Sequence, residues 1–113
     1  MVPDRSDMER MGRLAETYGC AFEYNDFYLA DVLSDASKQE KIIADYAKSR
    51  DTFGTDTMHG AFLDVTIHSS DPLIRDASML RVRQSMEIAE RMGIKGVVFH
   101  TGRLANFREA GYL

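Results

Sequence analysis

The stretch KGVVFHTG, residues 95–102, is an apolar run held between Gly96 and Gly102, with His100 at the point where the run ends. Apolarity without alternation marks a strand buried on both faces. A second run, TDTMHGAF at 55–62, ends in the same way, with His59 closing the segment and Gly60 following it; it predicts a strand over 57–62. Working outward from these two strands, the chain alternates helix and strand. Ser6 with Glu9 forms a capping box ahead of Met8, Met11, Ala15 and Tyr18 at helical spacing, and Gly19 is placed to stop a helix over 7–18. CAFEYND, 20–26, has the aromatic content of a strand that runs into a polar loop near Asn25. Ser37 with Glu40 suggests a second capping box, and Ile42, Ile43, Tyr46 and Ala47 give the next helix a buried side before it ends near Asp51. Asp71 followed by Pro72 is a helix start, the aspartate as N-cap and the proline where a missing N–H costs nothing. That third helix runs to Met92 and ends at Gly93; Leu73, Ala77, Leu80 and Ile88 share one face, with Val82, Met86 and Ala89 nearly opposite, so it is expected to touch a sheet and a further element.

No hairpin signal separates the strands. The fold class is therefore α/β, parallel strands joined by right-handed helical crossovers. Parallel order has a chemical consequence: His59, His100 and the EYND segment all arrive at the carboxyl end of the sheet, where α/β proteins place their sites.

The 113 residues, 44% hydrophobic and 28% charged, suit one domain with one core. No charged-then-apolar leader and no run approaching the ~20 residues that span a bilayer is present, and the expected location is the cytoplasm. Cys20 is the only cysteine, which excludes an internal disulfide; it is expected to be a small core residue at a strand start. A formal net charge of -4, with no basic block, counts against nucleic acid as a partner.

A neutral imidazole is a good ligand for zinc, manganese or iron, and His59 and His100 at neighbouring strand ends fit around one ion. They fit equally well as hydrogen-bonded caps of their strands. Two imidazoles do not complete a catalytic site, which takes about three protein ligands. The nearby carboxylates are Glu23, Asp26 and Asp64; strand alternation places Glu23 and Asp26 on opposite faces. Tyr24, Asn25, Phe27 and Tyr28 suit either a sugar-stacking, hydroxyl-binding wall or the core. Thr101, Gly102 and Arg103 could hold a phosphate or carboxylate, His68 belongs to a loop, and Arg75, Arg81, Arg83 and Arg91 form a solvated helix face.

With CAFEYND before them, TMHGAFLDV and the segment from SDPLIRD to VFHTG resemble the xylose isomerase-like TIM barrel superfamily, which includes sugar phosphate isomerases and epimerases and metal-dependent apurinic endonucleases. In that family a histidine of an HGPF-like motif and one of a VFHxG-like motif stand at the ends of consecutive barrel strands; His59 and His100 match them, with alanine at 61 where the family often has proline. The resemblance covers about Ser6 to Gly102 and implies a partial (β/α)8 barrel of about three strand-helix units, since a full barrel takes about 250 residues. It implies a metal-dependent isomerase or epimerase acting on a sugar or sugar phosphate, with His59 and His100 lining the substrate pocket and holding zinc, manganese, magnesium or cobalt in part; from the residues themselves, Tyr24 and Asn25 are the further substrate-binding candidates. The family's other ligands and bases belong to later strands, so no general base is assigned. An open three-strand sheet exposes its edges and one face, and the expectation is a fragment of a longer protein or a subunit that self-associates. The alternatives are a catalytically silent, truncated α/β domain that self-associates and, less favoured, an abasic-site endonuclease.

Overall fold

The computed structural model describes residues 1–100. The architecture is mixed α/β around a three-stranded parallel sheet in the order β1-β2-β3, with β1 at Glu23–Tyr24, β2 at Thr57–His59 and β3 at Gly96–Val98. Glu23 pairs with Thr57 and Thr57 with Gly96; Tyr24 pairs with Met58 and Met58 with Val97; His59 pairs with Val98. The sheet is open. Along the outer edge of β1 the Met1 nitrogen donates to the Ala21 carbonyl at 2.9 Å and the Glu23 N–H donates to the Met1 carbonyl at 2.8 Å, so the first residue occupies part of an edge that would otherwise be bare.

Five helical segments flank the strands: a 3-10 turn at Arg5–Asp7, α1 at Met8–Tyr18, α2 at Ala30–Leu33, α3 at Ala36–Ala47 and α4 at Pro72–Met92. Gly19 and Gly93 end α1 and α4 with φ of 62° and 70°, a backbone region glycine enters without penalty. Asp71 caps α4 by accepting from the Leu73 N–H at 2.9 Å. The other two N-termini differ from expectation. The cap of α1 is Asp7, which accepts from the Arg10 N–H, while Asp4 caps the preceding 3-10 turn. That of α3 is Asp35, which accepts from the N–H groups of Ser37 and Lys38. In each case a carboxylate one or two residues from the predicted serine takes the N-cap, and its charge also favours the positive end of the helix.

Alternation divides the sheet cleanly. Tyr24, Met58 and Val97 face the helices, where Phe22, Tyr24, Phe27, Tyr46, Met58 and Ile88 are shielded almost completely. Burying a side chain of this size contributes about 1.5–3 kcal/mol. Tyr24 lies 4.3 Å, centroid to centroid, from Tyr46 and edge-on to Phe22 and Phe53. The opposite face carries Thr57, His59 and Val98. Val98 is 43% exposed, which corrects the expectation that KGVVFH is buried on both faces: one face packs on helices and the other is only partly covered.

Several surface assignments also change. Leu73, Leu80 and Met86 are exposed, and the inward side of α4 is built from Ser78, Ser85, Ile88, Ala89 and Met92. The serines are there because the long segment after β2 needs acceptors: Ser85 Oγ takes the Ala61 N–H at 2.9 Å and Ser78 Oγ the Thr66 N–H at 2.8 Å. Arg81 and Arg91 are not simply solvated, since Arg81 donates to Ser34 Oγ at 2.6 Å and Arg91 to Gln39 Oε1 at 2.7 Å. Gln39 is itself buried and closes α2 by donating to the carbonyls of Val32 and Leu33. Cys20 is exposed rather than in the core, because β1 begins three residues later than the aromatic content suggests. Among the described residues no helix is long and apolar enough to cross a membrane.

Candidate functional site

Parallel pairing places His59 at the end of β2 beside Val98, and two residues beyond the end of β3 His100 comes to the same face. The two imidazoles meet there. Their Nε2 atoms are 3.0 Å apart and their ring centroids 4.9 Å. His59 Nδ1 lies 3.0 Å from the carbonyl oxygen of Gly60. A carbonyl only accepts, so Nδ1 carries the hydrogen of the neutral ring and His59 Nε2 presents its lone pair outward. In the metal-free protein the matching partner is an Nε2–H on His100, which donates to that lone pair.

Phe62 completes the cluster. Its ring stacks on His100 at a centroid distance of 4.7 Å and an interplanar angle of 15°, and meets His59 at 4.7 Å and 64°. Tyr28 backs Phe62 at 4.7 Å and 35°. The segment that carries Phe62 is tied to α4 through the Ala61–Ser85 hydrogen bond, while the Gly60 N–H continues the ladder by donating to the Val98 carbonyl at 2.9 Å. Phe62 was not among the residues singled out in the sequence. Its position three residues after His59 is the signal, since that spacing lets a chain turning away from the strand fold an aromatic ring back over the imidazole.

The remaining expected site residues separate. Asn25 follows Tyr24 just beyond the end of β1, and its Oδ1 is shut off from solvent without a hydrogen-bond partner among the described residues. Tyr24 is not part of a substrate wall: it is 0% exposed and its hydroxyl donates to Asp56 Oδ2 at 2.6 Å. Burial first, and then the Asp56 hydrogen bond, push its phenol well above the ordinary tyrosine range. Phe27 is likewise core. Asp26 belongs to a structural cluster, accepting from the Tyr46 hydroxyl and pairing with Arg5 at 3.0 Å. Asp64 sits at a φ of 56° in the loop after β2. Thr101, Gly102 and Arg103 lie outside the described residues.

Another polar cluster belongs to the core at the start of β2. Asp56, 2% exposed, accepts from the Phe22 N–H at 2.9 Å, from Tyr24 and from Arg50 at 3.0 Å, while the Arg50 guanidinium lies 4.1 Å above the Phe22 ring. It ties β1 to β2 at the end of the sheet opposite the histidines. Its role is structural.

The imidazole pair suits a divalent ion. Two nitrogens on a tetrahedral zinc at bonds of about 2.0–2.1 Å stand about 3.3 Å apart, close to the separation already present. Among the described residues, however, no group of three or more His, Cys, Asp or Glu is arranged to hold a metal. The chain matches no family model, no curated protein and no solved structure.

Proposed function

We propose that this chain forms the amino-terminal part of a (β/α)8 barrel and supplies two imidazole ligands to a divalent-metal site of the isomerase or epimerase type, acting on a sugar or sugar phosphate. The observation that carries this reading is the 3.0 Å approach of His59 Nε2 to His100 Nε2 at the ends of adjacent parallel strands, with the His59 tautomer set for ligation by Gly60. The ion, bound to both imidazoles and to donors beyond the described residues, would polarise a substrate oxygen and ease proton transfer beside a carbonyl. Zinc, manganese, magnesium or cobalt is the proposed ion, imidazole favouring the softer members. The rings of Tyr28 and Phe62 offer an apolar surface to a sugar carbon face, and Asn25, next to β1, is the polar residue proposed to face a substrate hydroxyl. The formal charge of -4 lends no support to an abasic DNA substrate.

Metal content tests the reading, measured by mass spectrometry on the purified chain at defined oligomeric state and on a His59→Ala, His100→Ala double variant. Near-stoichiometric metal that disappears in the variant is expected. Metal retained by the variant, or none bound by the parent chain under zinc, manganese or cobalt loading, overturns it.

A second reading, a catalytically silent α/β domain that self-associates, is favoured by the exposure of Val98 on the open sheet face and of Leu63 beside it in sequence to Phe62. It predicts a dimer or larger species by light scattering together with no bound metal. A monomer at micromolar concentration removes it.

A further inference from the structure

The two imidazoles converge although nothing in β2 or β3 by itself dictates the orientation of their rings. His59 is hydrogen-bonded at Nδ1 to Gly60 and at Nε2 to His100, and His100 is exposed. An imidazole rotates about two side-chain bonds and its terminal torsion is broad, so the bond between the two Nε2 atoms leaves the ring planes to be set by what packs against them. The ring that touches both is Phe62: parallel to His100 and edge-on to His59, each at 4.7 Å. Phe62 is in turn held from behind by Tyr28, and its backbone is anchored next door by the bond from Ala61 to Ser85. Ser85 lies in a helix, and the anchor is therefore carried by regular structure.

We infer that Phe62 is a positioning residue, an aromatic template that sets the planes of His59 and His100 so that their Nε2 atoms point at a common centre. This goes one step deeper than the metal-site reading and rests on it for its functional meaning. It does not rest on it for its geometry. The flat face of Phe62 favours a parallel setting of the His100 ring, and its contact with His59 favours the edge-on setting seen there. Leucine offers the same apolar character without a plane, and tyrosine offers the plane with an added hydroxyl at the rim.

The experiment compares the parent chain with Phe62→Leu and Phe62→Tyr in two measurements, with amide spectra confirming that each remains folded. In the first, cobalt(II) is titrated in and its visible ligand-field bands recorded. Phe62→Leu is expected to bind cobalt about tenfold more weakly, with altered bands, the range typical of losing a group that orients a metal ligand, and Phe62→Tyr to restore both. In the second, the imidazole nitrogens are observed by NMR in the metal-free protein at mildly alkaline pH. The parent chain and Phe62→Tyr are expected to show His59 as a single tautomer with its proton on Nδ1, and Phe62→Leu an average of two. Cobalt affinity and tautomer both unchanged in Phe62→Leu overturn the inference, as does a loss in Phe62→Tyr as large as in Phe62→Leu. If the parent chain takes up no cobalt, the metal reading fails, and the nitrogen spectra alone decide whether Phe62 orients the pair.

Discussion

The ring of Phe99 occupies the space where any side chain on Gly60 would begin: a Cβ built there falls 2.3 Å from Phe99 Cε1, well inside van der Waals contact. The glycine after His59 is thus a packing requirement. It lets the end of β2 lie against the ring just ahead of His100, and the approach of the two histidines depends on it. Gly60→Ala is expected to lower stability by about 1–3 kcal/mol through overpacking, seen as a lower urea midpoint, and to weaken cobalt binding by spreading the imidazoles. An unchanged midpoint would mean that Phe99 has room to move.

Asp56 is buried and satisfies three donors from two neighbouring segments, Phe22 N–H, Tyr24 Oη–H and the Arg50 guanidinium. Asp56→Ala strands all of them, and removing one partner of a buried ion pair costs about 3–5 kcal/mol, a large share of the stability of a small domain. Asp56→Asn keeps an acceptor and is expected to lose distinctly less. Equilibrium urea unfolding of the two variants checks the order; equal losses would show that the charge, not the hydrogen bonding, is what matters.

Alkaline stability follows from two phenols. Burial first, and then hydrogen bonds to Asp56 and Asp26, raise the ionisation of Tyr24 and Tyr46 above the ordinary value near 10. Because the folded-state values are the higher ones, their stabilising contribution is complete below about pH 10, the unfolded value, and declines as pH rises beyond it. Urea midpoints between pH 8 and 12 are expected to hold steady and then fall, and the fall is expected to be shallower in Tyr24→Phe, Tyr46→Phe. A curve of identical steepness in the double variant would assign the alkaline loss to other groups.

Ser85 and Ser78 hold the segment that follows β2 by accepting the N–H groups of Ala61 and Thr66. Ser85→Ala leaves the buried Ala61 N–H without an acceptor, which costs about 1–3 kcal/mol. Hydrogen exchange at Ala61 is expected to accelerate while exchange in α1 stays as it was. Protection retained at Ala61 would show that the loop finds another acceptor.

Alternation of helical and strand periodicity, with glycine stops at Gly19 and Gly93 and the Asp71-Pro72 start, was enough to specify a parallel α/β sheet and the co-location of His59 and His100 at its carboxyl end. These are local properties: period, caps and the absence of a hairpin turn lie in contiguous residues, and parallel order carries the histidines to one side as a geometric consequence. The division of EYND was not legible there. Tyr24 is fully buried rather than part of a substrate wall, and that depends on Asp56 standing 32 residues away as the partner of its hydroxyl. The carboxylate caps Asp7 and Asp35 are local and lie within three residues of the N–H groups they accept from, whereas the inward serines of α4 and the exposure of Leu73 and Leu80 are long-range outcomes, because a helix face turns toward whichever loops need acceptors. Phe62 belongs to the same class. Its spacing from His59 is local, but its ring becomes a plate against His100 as well only when β2, β3 and α4 are packed together, since that contact joins groups 38 residues apart in sequence.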